Sequence, residues 1–262
     1  MLTIALLTWR EFVRKSTPAP IFEMEQQTEI KIEPAEVHPV LKKINERNSK
    51  INNFSCDKII VRVKRNGISN RLRGSMIYEK DKNFRLKLSS FFGIELDMGS
   101  NIDQFWVWSR RMEPKSTMFF ANHSDLYKTR LRTPFVPLWI MSALGYREID
   151  PDEVYYKETD EHLILSRHVV SPTGQLLVKK AYVDKKTHLI VAYYLYDMQG
   201  TEITITQIAY AKNGMPKKIY MRWNEEDVVM DFNFVNPRVN SEINSQNFVL
   251  PGYKNRIDMS KN

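Results

Sequence analysis

A single cysteine, Cys56, stands in the 262 residues, which rules out an internal disulfide framework and any multi-cysteine metal site. It leaves the redox compartment undetermined. Glycine is scarce, at 9, and no low-complexity run occurs, so fibrous and disordered classes do not fit. No apolar run nears the roughly 20 residues of a membrane-crossing helix, because Met1 to Trp9 (MLTIALLTW) stops at Arg10. That run lacks the basic start of a signal peptide, and no lipid-attachment cysteine follows it closely. It reads either as the remnant of a longer signal sequence or as an ordinary start.

Catalytic motifs are missing too. There is no GxSxG, GxGxxG or P-loop. Ser55 to Lys58 matches SxxK without the motifs that accompany it, and a lone Cys56 at a strand start is more often a small buried hydrophobe than a nucleophile. The histidines, at 38, 123, 162, 168 and 188, form neither HxxxH nor HExxH. His162 and His168 would lie about 20 Å apart along one strand, too far to share an ion. The expectation is a non-enzyme without cofactor or metal.

What the chain does have is a long series of strands. In Phe84 to Trp108 (FRLKLSSFFGIELDMGSNIDQFWVW), Phe84, Leu86 and Leu88 alternate with Arg85, Lys87 and Ser89, and Ile94, Leu96 and Met98 alternate with Glu95 and Asp97. Between them, Phe91-Phe92-Gly93 sits where the chain must turn. Two consecutive strand side chains point to opposite faces, so both phenylalanines cannot join one core. Phe105 to Trp108 is apolar on both faces, as in a strand covered on both sides. Residues 57–65 and 70–79 flank an Asn66-Gly67 hairpin turn, and after Pro151 further strands fall near 161–170, 175–183, 187–196, 201–211, 217–223 and 227–234. Helical spacing appears from Pro39, with Val40, Leu41, Ile44 and Ile51 on one face, and again in a short apolar segment, Leu138 to Gly145, ended by glycine. Residues 110–136 read as mixed and irregular.

About eleven consecutive antiparallel strands with few helices predict a mainly β (α+β) fold: a large unclosed barrel or curled sheet, covered by the N-terminal helix and the mid-chain helix. Residues 1–35 read as an apolar start and linker, and residues 36–262 as a single domain.

The net charge of +8 is concentrated: residues 36–90 hold 14 Lys and Arg against 5 Asp and Glu. Nucleic acid and anionic membranes are the usual partners of such a block. A cytosolic basic β-barrel binding nucleic acid or an acidic protein is therefore the alternative. Nucleic-acid faces interleave cations with aromatics, however, and the row Lys58, Arg62 and Lys64 has none, so it reads as a solvated strand face opposite Ile59, Val61 and Val63.

The order of helix, meander, "DMGSN…QFWVW", mid-chain helix, second meander and closing Phe248-Val249-Leu250-Pro251 with Ile257-Asp258 resembles the bacterial lipoprotein-localisation carrier and receptor (LolA/LolB) superfamily from about Glu36 to Met259. The Leu-Lys-Lys-Ile-Asn opening of the helix adds to the resemblance. It implies an unclosed barrel whose apolar concave face holds acyl chains of a lipoprotein or lipid, in the periplasm or at the outer membrane, in a protein expected to be monomeric. Phe91, Phe92 and Gly93 are similar in position to the protruding apolar loop with which the receptor branch touches the bilayer. The chain departs from that branch in lacking a lipidation cysteine near its start. The residues expected to line the cavity are Leu72 and Met76; Phe84, Leu86 and Leu88; Leu96 and Met98; Trp106 and Trp108; Met230 and Phe232; and, from the covering helix, Trp139 and Met141. The apolar faces of two meanders exceed what so few helices can cover, and an underfilled apolar barrel is a lipid site.

Overall fold

The computed structural model describes residues 33–34, 38–80, 83–129, 142–171, 174–225 and 227–261. The first meander comprises β2 (Asn53–Arg65), β3 (Ile68–Glu79), β4 (Asn83–Ser90), β5 (Gly93–Ser100), β6 (Gln104–Ser109) and β7 (Thr117–Asn122). The second comprises β8 (Tyr155–Glu158), β9 (His162–Val170), β10 (Leu176–Asp184), β11 (Leu189–Tyr196), β12 (Glu202–Tyr210), β13 (Pro216–Trp223) and β14 (Val228–Val235). Three short strands complete the sheet: β1 (Glu33–Pro34) beside β8, β15 (Arg238–Val239) beside β2, and β16 (Asn255–Asp258) beside β7.

The strands described belong to one sheet, in the order β1-β8-β9-β10-β11-β12-β13-β14-β2-β3-β4-β5-β6-β7-β16, with β15 off this path against β2. Pairing is antiparallel throughout except for β16 along β7. The meanders join where β14 pairs with β2, from Val228 opposite Arg65 to Val235 opposite Lys58. With β1 and β16 at opposite ends of the order, the sheet is curled and unclosed, as the sequence predicts. Local chemistry sets the register. Asn66 and Gly67 take φ of 48° and 82°, the two positive values a tight two-residue hairpin needs.

Helix α1 (Pro39–Asn48) begins with proline at its first turn, and the His38 side chain accepts from the Val40 N–H at 3.2 Å. Its apolar stripe buries Leu41 and Ile44 against Leu163 and Leu165 of β9, Ala181 and Val183 of β10, and Ile190 of β11. Asn45 exchanges hydrogen bonds with the Ile149 backbone at 2.7 and 2.9 Å, and buried Asn48 donates to the carbonyls of Gly145 and Arg147. These bonds tie α1 to the chain that enters β8. Of the expected mid-chain helix, residues 138–141 lie outside the described residues, Trp139 and Met141 among them. Its C-terminal end is described: Ala143, Leu144 and Tyr146 are buried, and Gly145 turns the chain with φ +73° where a Cβ would meet the Tyr210 hydroxyl at 3.0 Å.

The convex face of β4 to β6 is covered by the segment leading into β16. Arg85 holds Asp97 through two hydrogen bonds of 3.0 and 2.8 Å and also donates to the Asn247 carbonyl, while Tyr253 stacks on Trp108 with ring centroids 5.3 Å apart. Coverage on both faces hid β7 from the sequence. In Thr117-Met118-Phe119 every residue is buried, so no alternation marks the strand within a stretch read as irregular.

Candidate functional site

Cross-strand partners point to the same face of a sheet, so the register alone shows which residues share a surface. Leu72 stands opposite Val61, Met76 opposite Leu86, Leu86 opposite Met98, and Leu88 opposite Leu96. Across the seam, Val61 faces Phe232 and Val63 faces Met230, which in turn faces Met221. The predicted residues Leu72, Met76, Phe84, Leu86, Leu88, Leu96, Met98, Met230 and Phe232 therefore lie on one continuous concave face that spans both meanders. Tyr146, Leu144 and Ala143 pack into it from above, with Tyr146 6.0 Å from Phe54 ring to ring.

Trp106 and Trp108 do not join them. Trp106 pairs with Gly99 and Trp108 with Asp97, which puts both indoles on the convex face; Phe105 and Val107 are the concave residues of β6. The correction has a simple physical origin. β6 is buried on both faces, so its apolar pattern could not reveal which side faced inward, and Gly99 leaves the space that the Trp106 indole fills.

Burial along the concave face is uneven. Beneath α1 and residues 143–146 it is tightly packed, whereas Leu72 and Leu96, nearer the end carrying the 66–67 and 91–92 turns, are only partly buried. Among the described residues, a cavity of about 10 Å³ opens here, lined by Ser142, Ala143, Lys179, Tyr193, Leu195, Thr204, Thr206, Met221 and Trp223. A separate shallow hollow of about 310 Å³ lies between α1 and Glu148 and Pro151, away from this face. Ala143, Leu144 and Tyr146 fill part of the space that the apolar faces enclose.

A lysine also stands on this face. Leu177, Ala181 and Val183 point inward from β10, and the same alternation turns Lys179 inward. Its ammonium lies 4.5 Å from the centre of the Tyr193 ring. Burial, with Arg167 and Arg147 adding repulsion, pushes the Lys179 pKa down to about 7. The sequence analysis passed over Lys179, although a lysine in phase with Leu177 and Ala181 is a visible signal.

The turn between β4 and β5 stands clear of the sheet. Phe91 is 98% exposed and Phe92 75%, with their rings edge to face at 5.7 Å. The loop is braced from below: Ser90 Oγ donates to Glu95 at 2.6 Å and accepts from the Phe92 N–H at 3.0 Å, and Arg110 donates to the Phe92 carbonyl. Gly93 supplies φ +106°. Arg110 and Arg111 flank the turn, each 3.6 Å from Glu95. By the antiparallel register, the turns at 66–67, 91–92, 110–116, 171–175, 197–201 and 224–227 share one rim. Of the nine exposed large hydrophobics among the described residues, Phe91, Phe92, Ile94, Val170, Leu176 and Met198 lie at that rim.

Alternatives drawn from single residues find little support in the geometry. Ser55 Oγ pairs with Ser241 Oγ at 2.8 Å, and burial pushes the Cys56 thiol up, away from thiolate reactivity. No cluster of three or more His, Cys, Asp and Glu able to hold a metal occurs among the described residues.

No protein-family model matches the sequence, and no curated protein does. Solved structures do. A DUF1329 family protein from Desulfovibrio piger aligns with a TM-score of 0.53 at 12% identity, covering 83% of this chain and 98% of that one. A putative outer membrane lipoprotein-sorting protein domain from Vibrio parahaemolyticus aligns at 0.52 and 9%, covering 80% and 94%. A LolA superfamily protein from Nitrosomonas europaea aligns at 0.51 and 11%, covering 81% and 96%. The likeness is one of fold: this chain is built as an unclosed, curled antiparallel sheet of the LolA-like kind.

Proposed function

We propose that residues 36–262 act as one non-enzymatic module that binds acyl chains of a lipid or lipoprotein on the concave face, in the periplasm or at the outer membrane. The observation that carries this reading is the single apolar face running from Met98 through Leu86, Met76 and Val61 to Phe232 and Met221, which leads toward the rim where Phe91 and Phe92 project. The similarity in fold to a protein described as an outer membrane lipoprotein-sorting domain supports it. Apolar burial would supply the affinity, at about 0.8 kcal/mol per methylene.

A site for such a ligand needs about 300–1,000 Å³, far more than the cavity of about 10 Å³ on the concave face. Movement of the cover around Ala143 to Tyr146, which packs into this face, would open more of it to an acyl chain. The Phe91-Phe92-Gly93 turn then serves as the contact with a membrane or acylated partner, with Arg110 and Arg111 beside it. Each cation near an anionic surface would contribute about 1 kcal/mol.

Mass spectrometry of gently extracted protein tests the reading, together with backbone hydrogen exchange at residues 142–149 with and without added dodecanoate. Bound lipid and changed protection are expected. Protein that carries no lipid, and whose exchange is indifferent to dodecanoate, would defeat the proposal.

A further inference from the structure

On the convex face, the register gathers cations from two neighbouring strands beside the exposed turn. Arg62 and Lys64 leave β2 on the side opposite Val61 and Val63, and Arg71 and Arg73 leave β3 on that same side, with Arg71 directly across from Arg62. Arg62, Arg71 and Arg73 are exposed and Lys64 partly so, and none of the four takes part in an ion pair among the described residues. Asp231, facing Arg62 across the seam, is the only acid directly opposite any of them, so the face keeps an excess of positive charge. Like charges directly opposite one another weaken a sheet, so the Arg62–Arg71 pairing costs the fold stability. The patch also reaches the rim. Arg62 and Arg71 lie about 13 Å along their strands from the Asn66-Gly67 turn, and Arg73 faces Ser89, which precedes the Phe91-Phe92 turn by one residue.

We propose that this convex face is the docking surface for a membrane rich in anionic phospholipid, on which the chain lies tilted with Phe91 and Phe92 as its apolar wedge. The inference rests on the membrane-contact reading of that turn and adds to it the orientation and the lipid. Charge complementarity and continuity with the exposed phenylalanines carry it. A cation adds attraction only within about a Debye length of the headgroups, about 8 Å at physiological salt. Long arginine side chains that leave the strands beside the turn come within that range once the sheet leans toward its convex side. A nucleic acid fits less well, because Phe91 and Phe92 project from one turn instead of lying between the cations.

Co-sedimentation of the full chain with vesicles of phosphatidylcholine, alone or with about one third phosphatidylglycerol, tests this. The anionic vesicles should bind more tightly, and the difference should fade between about 0.1 M and about 1 M salt, as the Debye length falls from about 10 Å to about 3 Å. Arg71→Gln should weaken binding to them about fivefold, and Arg62→Gln, Arg71→Gln and Arg73→Gln together about a hundredfold, since each cation near the surface is worth about a factor of five. Lys42→Gln, Lys43→Gln and Lys50→Gln together remove the same charge from exposed positions on α1 and just after it, and should weaken binding by less than about twofold. An arginine variant that keeps its affinity, or a lysine variant that loses as much, overturns this proposal alone and leaves Phe91 and Phe92 as the contact. An arginine variant that loses affinity for a DNA duplex or a poly-glutamate peptide but not for vesicles assigns the face to another partner and overturns the proposal in the same way. If neither kind of vesicle binds, the membrane-contact reading of the turn falls with it.

Discussion

Gly99 lies directly across the strand pair from Trp106, whose indole occupies the space where any side chain at position 99 would stand. A Cβ there would also come within 2.9 Å of the Phe84 carbonyl. Neither the fully buried indole nor the strand backbone can retreat. Gly99→Ala should therefore cost about 2–3 kcal/mol or more, at the upper end of overpacking effects, read as a lowered urea midpoint. An unchanged midpoint would mean that the β5–β6 register described here is wrong.

Phe91 and Phe92 make the opposite case, because their side chains face solvent. Replacing both with glutamate should shift the melting temperature by no more than a surface change does, within about 0.5 kcal/mol, and should lower binding to vesicles containing anionic lipid. Unimpaired vesicle binding with an intact fold would remove the membrane-contact role from this loop.

Arg85 and Asp97 form a nearly buried pair on the convex face, with side chains 13% and 2% exposed. Removing one partner strands the other, so Asp97→Leu alone should destabilise by about 3–5 kcal/mol. Arg85→Met combined with Asp97→Leu should recover much of that loss, since two apolar groups leave no uncompensated charge. A double variant worse than the sum of its singles would argue against the pair acting as a unit.

Lys179 predicts a pH dependence whose sign follows from its lowered pKa. Unfolded, the amine titrates at its ordinary 10.5; folded, at about 7. Between these values the unfolded chain holds the extra proton, so this group makes stability rise as pH climbs from about 7 toward 10.5. Below 7 its cost is fully present. Urea midpoints at pH 6 and pH 9 should therefore rise more in the wild type than in Lys179→Met, and the variant should be the more stable of the two at pH 6. Parallel pH profiles would show that Lys179 is not desolvated as described.

Much of this architecture was legible in the sequence. The alternation of Phe84, Leu86 and Leu88 and of Val228, Met230 and Phe232 gave the strands and their inward faces, because period two survives wherever one side is wet. The reading failed where both sides are dry. Trp106 could not be assigned a face, and β7 carries no alternation at all. Strands β15 and β16 escaped as well, since Arg238-Val239 and Asn255 to Asp258 are too short and polar to show a pattern and owe their conformation to the edges they meet. At the candidate site, the apolar wall was readable one strand at a time. The placing of Lys179 beside Arg167 and over the Tyr193 ring was not, for it depends on cross-strand register.

The seam between β14 and β2 has a consequence for how the chain reaches its native state. β2 finds β3 across a two-residue turn, yet its other edge waits for β14, the last strand of the second meander. Each meander is built from neighbours in sequence and can form quickly, whereas the seam must close a very long loop, the slow kind of step in β proteins. Until it closes, the outer edge of β2, carrying Ile59, Val61 and Val63, is an unprotected strand that can pair with another copy of itself. Lys58, Arg62 and Lys64 on the opposite face of that strand make such pairing costly by like-charge repulsion. The basic row that reads as a solvated face in the finished protein would thus disfavour self-pairing of the half-made one.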